Sequence, residues 1–270
     1  MTQINSISPV TGHNYSIPVD DNKQGLFNFL EINKNKQVVA VQGLGFVGTV
    51  MSLVVANSDD CEYAVIGVDQ ATEDSYWKIA EINAGVCPIV SSDPLVGEFF
   101  ENAKLKNNFY ATYDSMAFSF ADVIIVDINL DVTKAKDDLG NIESYDVPLV
   151  GFKKAIESIG LVCKEDVLIL VETTVPPGTC QKVVYPILIE SLKSRGLPTD
   201  KFKLGHSYER VMPGPNYINS IKNFYRVYSG INEHSADAVE KFLKTVISTD
   251  EYPLTRLKTT ESTEMAKVLE

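Results

Sequence analysis

The sequence contains few of the residues that build metal sites and disulfide frameworks. Its 270 residues include 4 cysteines and 3 histidines. The cysteines, at positions 61, 87, 163 and 180, form no CxxC pair and have no histidine at a metal-ligand spacing. Zinc sites need clustered ligands and disulfide frameworks need paired cysteine spacings, so neither is predicted. We therefore expect free thiols in a reducing compartment and no bound metal.

Long apolar runs and positive charge are also scarce. No run approaches 18 apolar residues, and the N-terminus lacks a charged region followed by an apolar core. The sequence therefore predicts neither a membrane span nor a signal peptide, which favours the cytoplasm. Lys and Arg total 24 against 36 Asp and Glu, a formal charge of −12. This balance argues against nucleic acid or an anionic membrane as a partner, so an anionic ligand must be bound by local dipoles and a few placed cations.

The strongest signal lies in residues 37–69. An apolar run at 38–41 leads into GLGFVG at 43–48, and a segment of small and apolar residues follows. A second apolar run, at 63–68, ends on Asp69. The order is strand, glycine turn, helix, strand and acidic residue, which is the order of a dinucleotide-binding unit.

Each position of the glycine turn has a physical role in such a unit. Gly43 lets the chain turn sharply after the strand, and Gly45, without a Cβ, lets a pyrophosphate approach the backbone. Gly48 lets the following helix pack closely on the sheet. The helix begins at Phe46 and Val47, whose N–H groups and dipole face the phosphates. These five residues are the predicted phosphate-binding turn.

Asp69 is the predicted ribose-binding residue, since it lies 21 positions after Gly48. Its carboxylate can accept hydrogen bonds from the ribose hydroxyls and would repel a 2′-phosphate, so NAD is favoured over NADP. The alternative is an ordinary glycine turn followed by a surface aspartate, because glycines also occur in turns that bind nothing. The agreement of strand, helix and acid favours the NAD site.

Apolar runs alternate with helical patterns along the rest of the chain. The runs at 122–127 and 166–171 are apolar almost throughout, which is typical of buried parallel strands. Further strands are predicted at 109–112, 202–207 and 225–228, and helices at 73–84, 95–104, 147–159, 181–194, 235–246 and from 261 onward. A short apolar group at 26–32 predicts one or two helical turns. The alternation predicts an α/β fold with a doubly wound, mostly parallel Rossmann sheet.

Two polar turns follow predicted strands, ETTVPPGT at 172–179 and YERVMPG at 208–214. The carboxyl ends of parallel strands are where such sheets bind ligands, so we expect these turns to face the crevice of the glycine turn. The last helical pattern, at 260–270, has no stop signal. We therefore expect the chain to be part of a longer protein.

Together these motifs resemble those of the UDP-glucose/GDP-mannose dehydrogenase family, and the resemblance is greatest to UDP-N-acetylhexosamine dehydrogenases. The matching stretches, in the family's order over residues 38–270, are GLGFVGTVMS, GVDQ, INAGVCPI, ADVIIVDI, VETTVPPGT, YERVMPG, NFYRVYSG and STEMAKVLE. The glycine turn occurs in many dehydrogenases, whereas ETTVPPGT, ERVMPG and EMAK in combination are far more specific. The resemblance implies oxidation of the C6 alcohol of a nucleotide sugar, such as a UDP-sugar, to the uronic acid by two NAD through cysteine-bound intermediates.

The resemblance also implies roles for individual residues. Thr174 matches the threonine that orders a catalytic water, and Glu172 would contact the nicotinamide end. Glu209 matches the glutamate of acid–base catalysis during thioester hydrolysis, and Lys267 matches the lysine that stabilises oxyanions. Two arginines fall on the family's substrate side: Arg210 and Arg226. Without the resemblance, Glu209 with its neighbouring arginine could form a surface ion pair, and Lys267 could be a solvated lysine.

The resemblance implies three parts of the chain and a dimeric intact enzyme. Residues 1–36 are an N-terminal extension, 37–255 the NAD-binding Rossmann domain and 256–270 the start of a central helix that mediates dimers. The family's catalytic cysteine and an asparagine fall beyond residue 270. We therefore expect this chain to bind NAD without completing the oxidation.

The sequence departs from the family in two places and leaves two alternatives open. The family's threonine-proline pair is replaced by residues 128–132, and Tyr208 stands where proline is usual. One alternative is a stand-alone NAD-binding module without catalysis. The other is a related β-hydroxyacid or sugar-phosphate dehydrogenase, against which the motifs at 172–179 and 208–214 argue.

Overall fold

Strands and helices alternate along most of the chain in the computed structural model, which describes residues 4–19, 23–130, 132–137 and 139–269. Two residues of earlier predictions lie outside the described ranges. They are Asp131, in the stretch 128–132 that departs from the family, and Glu270, at the end of the last predicted helix. The helices are α1 Lys23–Ile32, α2 Phe46–Ala56, α3 Tyr76–Asn83, α4 Pro94–Lys106, α5 Val150–Gly160, α6 Tyr185–Ser194, α7 Tyr217–Lys222, α8 Glu233–Val246 and α9 Thr260–Leu269. The strands are β1 Asn5–Ile7, β2 Asn14–Ser16, β3 Gln37–Gln42, β4 Tyr63–Val68, β5 Phe109–Thr112, β6 Val123–Val126, β7 Thr133–Lys136, β8 Ile142–Asp146, β9 Leu168–Val171, β10 Lys203–His206, β11 Val227–Gly230 and β12 Thr255–Arg256.

Eight strands of the described part form one sheet in the order β12-β11-β10-β9-β6-β3-β4-β5. All neighbours pair in parallel except β10 and β11, which are antiparallel. The predicted doubly wound, mostly parallel sheet is confirmed. From β3 the chain runs outward through β4 to β5, then returns to β6 on the other side of β3. The order therefore reverses at the carboxyl ends of β3 and β6, where sheets of this kind bind ligands.

Both faces of the sheet are covered, which explains the uninterrupted apolar runs of its central strands. Along β3, Val39 and Val41 pack into one hydrophobic cluster, and Ala40, which points to the opposite face, packs into another. Helices α2, α4 and α8 contribute to the first cluster, and α5 and α6 contribute to the second. No helix in the described ranges is long and apolar enough to cross a membrane.

The N-terminal segment packs on the outer half of the sheet. The short apolar group predicted as helical turns lies within α1, where Leu26 and Phe29 are buried and Phe29 stacks on Tyr110 with ring centroids 5.5 Å apart. The sequence did not predict the hairpin of β1 and β2. Its Ser6 hydroxyl donates to the Glu73 carbonyl (2.6 Å) and accepts from the Trp77 amide (3.0 Å), which fixes the hairpin on α3.

Four further elements were absent from the sequence-based prediction. Strands β7 and β8 form a hairpin, and helix α7 and strand β12 are separate elements; the sequence-based prediction assigned no structure to any of these stretches. The exposed strand β7, with sequence TKAK, buries no alternate residues and so lacks a period-two signal. The predicted helix at 181–194 starts with a π-helical turn, Cys180–Val184, before α6.

Candidate functional site

The glycine turn after β3 has three positions with different steric demands. Gly43 has φ +104°, and a Cβ there would lie 2.2 Å from the Asp127 carbonyl oxygen. A Cβ on Gly48 would lie 2.1 Å from the Gly43 carbonyl oxygen. A Cβ on Gly45 would have no atom within 4 Å, because this residue faces open space. The first and third glycines are therefore required by packing, and the middle one leaves room for a ligand.

Helix α2 presents its N-terminus to that space. Gly45 is its N-cap and supplies no side-chain hydrogen bond. The N–H groups of the first turn, at Phe46, Val47 and Gly48, have no intrahelical acceptor by the geometry of an α-helix. The Tyr217 hydroxyl donates to the Phe46 carbonyl (2.8 Å), and the two rings stack with centroids 4.8 Å apart. A rigid set of donors suited to a pyrophosphate results, so the turn fits a dinucleotide.

Asp69 lies directly beside the glycine turn. Its Oδ2 accepts from the Leu44 amide (3.0 Å) and from Lys78 Nζ (2.6 Å), and its Oδ1 accepts from the Gln70 amide (2.7 Å). These bonds hold the carboxylate at the end of β4, on the side of β3 opposite to β6. The sequence prediction did not include Lys78, whose pairing with Asp69 comes from its position on α3.

A cleft of about 410 Å³ joins the glycine turn to the ends of β6 and β9. Its lining contains Gly45, Phe46, Val47, Gly48, residues 127–130, residues 172–174 and Glu209. Thr174 is exposed there, while Glu172 and Glu209 are buried. The structure therefore brings together most of the residues that the sequence assigned to cofactor and catalysis. A cavity of about 490 Å³ between Gln37 and Thr245 lies at the opposite, amino ends of the strands, remote from these groups.

Glu172 forms a buried ion pair at the base of the cleft. Its Oε1 lies 2.7 Å from Arg226 Nη1, and the two side chains are 0% and 2% exposed. Burial raises the pKa of Glu172 to about 7, although the charge of Arg226 opposes this shift. Arg226 was expected on the substrate side from the resemblance, and in the structure its guanidinium contacts Glu172.

Three acids share the interior of the site. One carboxylate oxygen of each acid, Asp127, Glu172 and Glu209, is buried without a hydrogen-bond partner among the described residues. One guanidinium nitrogen of Arg226 is buried and unpartnered in the same way. Burial, followed by the nearby charges of Glu209 and Glu172, raises the pKa of Asp127 well above its usual value. Burial also raises the pKa of Glu209, against the effect of Lys267. Unpartnered buried polar atoms and perturbed acids in one cleft indicate a functional site.

The sequence prediction left Asp127 unassigned. It directly follows β6, so the rule that ligands bind at the carboxyl ends of parallel strands could have identified it. Thr173, also unassigned as a binding residue, ties the ends of β6 and β9 together. Its hydroxyl accepts from the Ile128 amide (2.8 Å) and donates to the Val126 carbonyl (3.2 Å).

Lys267 reaches the second strand-end turn from α9. Its Nζ donates to the Glu209 carbonyl (3.1 Å) and lies 5.1 Å from the centroid of the Tyr208 ring. Tyr208 stands at the position where the family usually has proline. Its side chain is buried, and its ring lies beside the Lys267 ammonium. Arg210 is absent from the cleft lining, and its guanidinium lies 4.9 Å from the centroid of the Phe224 ring.

Glu264 was also missed, although it belongs to the EMAK stretch. Its carboxylate accepts from the amides of Gly178 and Cys180 in the turn after β9. All four cysteines are free, and Cys163 and Cys180 are buried. Among the described residues, no group of His, Cys, Asp and Glu is arranged to hold a metal ion.

Comparison with known proteins gives a family match and several relatives. The sequence profile of the "UDP-glucose/GDP-mannose dehydrogenase family, NAD binding domain" matches residues 37–247. UDP-N-acetyl-D-mannosamine dehydrogenase of Pyrococcus horikoshii is 28% identical over 211 residues, which are 77% of this chain and 44% of that protein. UDP-N-acetyl-D-glucosamine 6-dehydrogenase of Pseudomonas aeruginosa is 29% identical over 236 residues, 86% of this chain and 48% of that protein.

A solved structure has the same fold. NDP-N-acetyl-D-galactosaminuronic acid dehydrogenase from Methanosarcina mazei Go1 superposes with a TM-score of 0.75 and 23% identity, over 90% of this chain and 48% of that one. At this identity the likeness concerns the fold. The chain spans about half the length of the curated relatives it matches.

Proposed function

This chain belongs to the UDP-glucose/GDP-mannose dehydrogenase family, and we propose that it is the cofactor-binding part of an NAD-dependent nucleotide-sugar 6-dehydrogenase. Such an enzyme oxidises the C6 alcohol of a UDP-sugar to the uronic acid, which serves the synthesis of surface polysaccharides. The observation that carries this proposal is the cleft in which the glycine turn meets Glu172, Thr174 and Glu209. A dinucleotide site and a set of acid–base groups share one cavity.

The residues around the cleft fit NAD. Asp69 follows β4 on one side of the glycine turn, and the turn after β9 lies on the other side. The start of α2 would hold the pyrophosphate and Asp69 the adenosine ribose, which leaves Glu172 and Thr174 for the nicotinamide end. NAD bound there supplies the hydride acceptor.

The chain's own residues supply proton transfer and charge stabilisation. Glu209 suits acid–base catalysis because burial raises its pKa above that of an ordinary glutamate. Lys267 places a positive charge beside it and is assigned to oxyanion stabilisation. Thr174 is exposed to the cleft and is assigned to ordering a water. Arg210 and Arg226 stay assigned to the substrate side, Arg226 through its ion pair with Glu172.

The proposed chemistry also needs a cysteine nucleophile. Burial raises the thiol pKa values of Cys87, Cys163 and Cys180, which disfavours the reactive thiolate. Cys61 lines the cavity at the amino ends of the strands, away from the cleft. We therefore propose that this chain alone binds NAD and does not complete the oxidation of a sugar.

The three parts predicted from the sequence are kept in this proposal: an extension at 1–36, the Rossmann domain at 37–255 and the start of a central helix at 256–270. Helix α9 exposes Met265 and Val268 to 43% and 53%, an apolar face that a second copy could cover in a homodimer of the intact protein. Free thiols support a cytoplasmic location, and the charge of −12 disfavours nucleic acid as a partner.

Calorimetric titration of Gly45→Val with NAD tests the cofactor site. The open space beside Gly45 means that the apo fold should tolerate valine, whereas the added side chain would block the pyrophosphate. We expect NAD affinity to fall at least about tenfold with little change in melting temperature. Gly97→Val is the matched control, since Gly97 also faces open space but lies on α4. Equal NAD affinity in both variants and the parent would refute the site.

A further inference from the structure

Helix α9 directs three polar side chains at the carboxyl edge of the sheet. Thr263 Oγ1 lies 2.9 Å from His206 Nδ1 and 2.8 Å from Ser229 Oγ. Glu264 contacts the turn after β9, and Lys267 contacts the turn after β10. A single helix therefore touches both strand-end turns that line or adjoin the cleft.

The Glu264 carboxylate is wholly buried and bound by backbone amides. Its Oε2 accepts from the Gly178 amide (2.5 Å) and its Oε1 from the Cys180 amide (2.7 Å). Gly178 has φ +91°, a conformation that other residues rarely adopt, and it orients the turn towards the acid. Amide donors at the start of a helical turn favour a negative charge and offset part of the cost of burying it, although burial still raises the pKa of Glu264.

The segment whose amides bind Glu264 is continuous in sequence with the residues that line the cleft. Thr174, which faces the cleft, lies four residues before Gly178, and two prolines stand between them. Each proline ring fixes its own φ, and the Thr179 hydroxyl donates to the Pro176 carbonyl (2.6 Å). A displacement at Gly178 is thus passed along a stiff segment to Thr174.

A purely structural role would also bury an acid between a helix and a turn. Two features distinguish Glu264 from a simple anchor. Its partners are the amides of the turn that lines the cleft, and Lys267, one helical turn further along α9, binds the Glu209 carbonyl. Movement of α9 would therefore alter both sides of the site at once.

We propose that Glu264 is a positioning residue that, by binding the Gly178 and Cys180 amides, fixes the turn after β9 and so shapes the nicotinamide end of the cleft. The same bonds set how far Lys267 reaches towards Glu209. This inference rests on the proposed function, because it requires a dinucleotide in the cleft. It predicts that loss of the Glu264 carboxylate weakens binding of the nicotinamide half of NAD and leaves binding of the ADP-ribose half almost unchanged.

The test compares NAD with ADP-ribose, which lacks the nicotinamide, by calorimetry on the chain as it stands. In Glu264→Gln one amide oxygen replaces the two carboxylate acceptors, so one of the two N–H groups loses its partner. We expect NAD affinity to fall about tenfold and ADP-ribose affinity to change less than about twofold. Glu261→Gln is the matched control, because Glu261 lies on α9 but is exposed and pairs with Lys182 at 3.7 Å.

The outcomes separate this inference from the proposed function. A parent chain that binds neither NAD nor ADP-ribose would overturn both. If the parent binds NAD, two results for Glu264→Gln would overturn the positioning role alone. One is that the variant binds NAD and ADP-ribose as the parent does, and the other is that it loses affinity for both equally. Amide hydrogen exchange on the parent is independent of how the variant folds: we expect slow exchange at Gly178 and Cys180, and fast exchange there would contradict the proposal.

Discussion

Arg226 Nη1 lies 2.7 Å from Glu172 Oε1 where β9 ends and β11 begins, and neither side chain is more than 2% exposed. The two residues are 54 positions apart in the sequence. This pair joins the antiparallel edge of the sheet to the base of the cleft. A buried pair of this kind contributes little net stability as a unit, but the loss of one member leaves an uncompensated charge.

Arg226→Met should destabilise the protein by up to about 3–5 kcal/mol at about pH 8, because Glu172 is mostly ionised there in the parent and would stay buried without its partner. The pKa of Glu172 is already raised to about 7, so protonation at about pH 5 removes the charge and should reduce the loss. Urea denaturation at both pH values measures the difference. Arg256→Met is the control, since the partially exposed Arg256 pairs with surface acids and should matter far less. Equal losses at both pH values would contradict this account.

Asp127→Asn should flatten the fall of stability with rising pH. In the unfolded chain the Asp127 carboxyl ionises near its usual pKa of 3.8, whereas burial raises its pKa well above this value in the folded protein. The folded state therefore binds more protons above pH 3.8, and each increase in pH favours unfolding by at most about 1.4 kcal/mol per pH unit. Asparagine carries no such proton, so the slope between about pH 5 and 8 should decrease.

The pH dependence has a natural control in Asp137. Its side chain is partly exposed, and hydrogen bonds from Asn141 lower its pKa. Asp137→Asn should therefore leave the slope of unfolding free energy between about pH 5 and 8 as in the parent. A slope that changes equally in both variants would show that Asp127 is not its source.

Gly48→Ala should destabilise the fold by about 1–3 kcal/mol or more, because its Cβ would lie 2.1 Å from a backbone oxygen that cannot move aside easily. Gly45→Ala should cost less, about 0.5–1 kcal/mol, since that position is open and only the preference for glycine over alanine at an N-cap is lost. Chemical denaturation of both variants measures the contrast. Similar losses of unfolding free energy in both variants would contradict the steric difference between the two glycine positions.

Asp69→Ala should weaken the binding of NAD and shift the preference from NAD towards NADP. The variant loses the ribose acceptor and frees Lys78, now 2.6 Å from the carboxylate, to attract a 2′-phosphate. We expect NAD affinity to fall about tenfold or more and the ratio of NADP to NAD affinity to rise. Titration of both cofactors measures it, with Asp59→Ala as a surface control that also loses a lysine partner, Lys222. An unchanged ratio would contradict the role of Asp69.

Sequence reasoning succeeded where the signal is local. The β3–α2–β4 unit was predicted because its apolar runs and glycines lie within one short stretch. The clustering of Glu172 and Glu209 with the glycine turn followed from a rule of sheet topology. Both kinds of signal are present in the order of residues alone.

The rest depends on contacts between distant residues. Lys78 reaches Asp69 only because α3 packs against β5, the neighbour of β4, and Glu264 reaches Gly178 across 86 positions. No periodicity encodes such pairings. Strand β12 has 2 residues and α7 has 6, so neither is long enough to show a period of its own.

The unit that folds is larger than the segment that the profile of the family's NAD-binding domain matches. Residues 37–247 match the family profile, but Leu26 and Phe29 of α1 complete one hydrophobic cluster, and Ser6 binds the backbone beside Trp77. On the other side, α9 satisfies the amides after β9 through Glu264. Excision at residues 37 and 247 would expose apolar surface and remove acceptors from buried donors. The matched domain and the cooperatively folded unit therefore have different limits in this chain, and the folded unit includes both flanking segments.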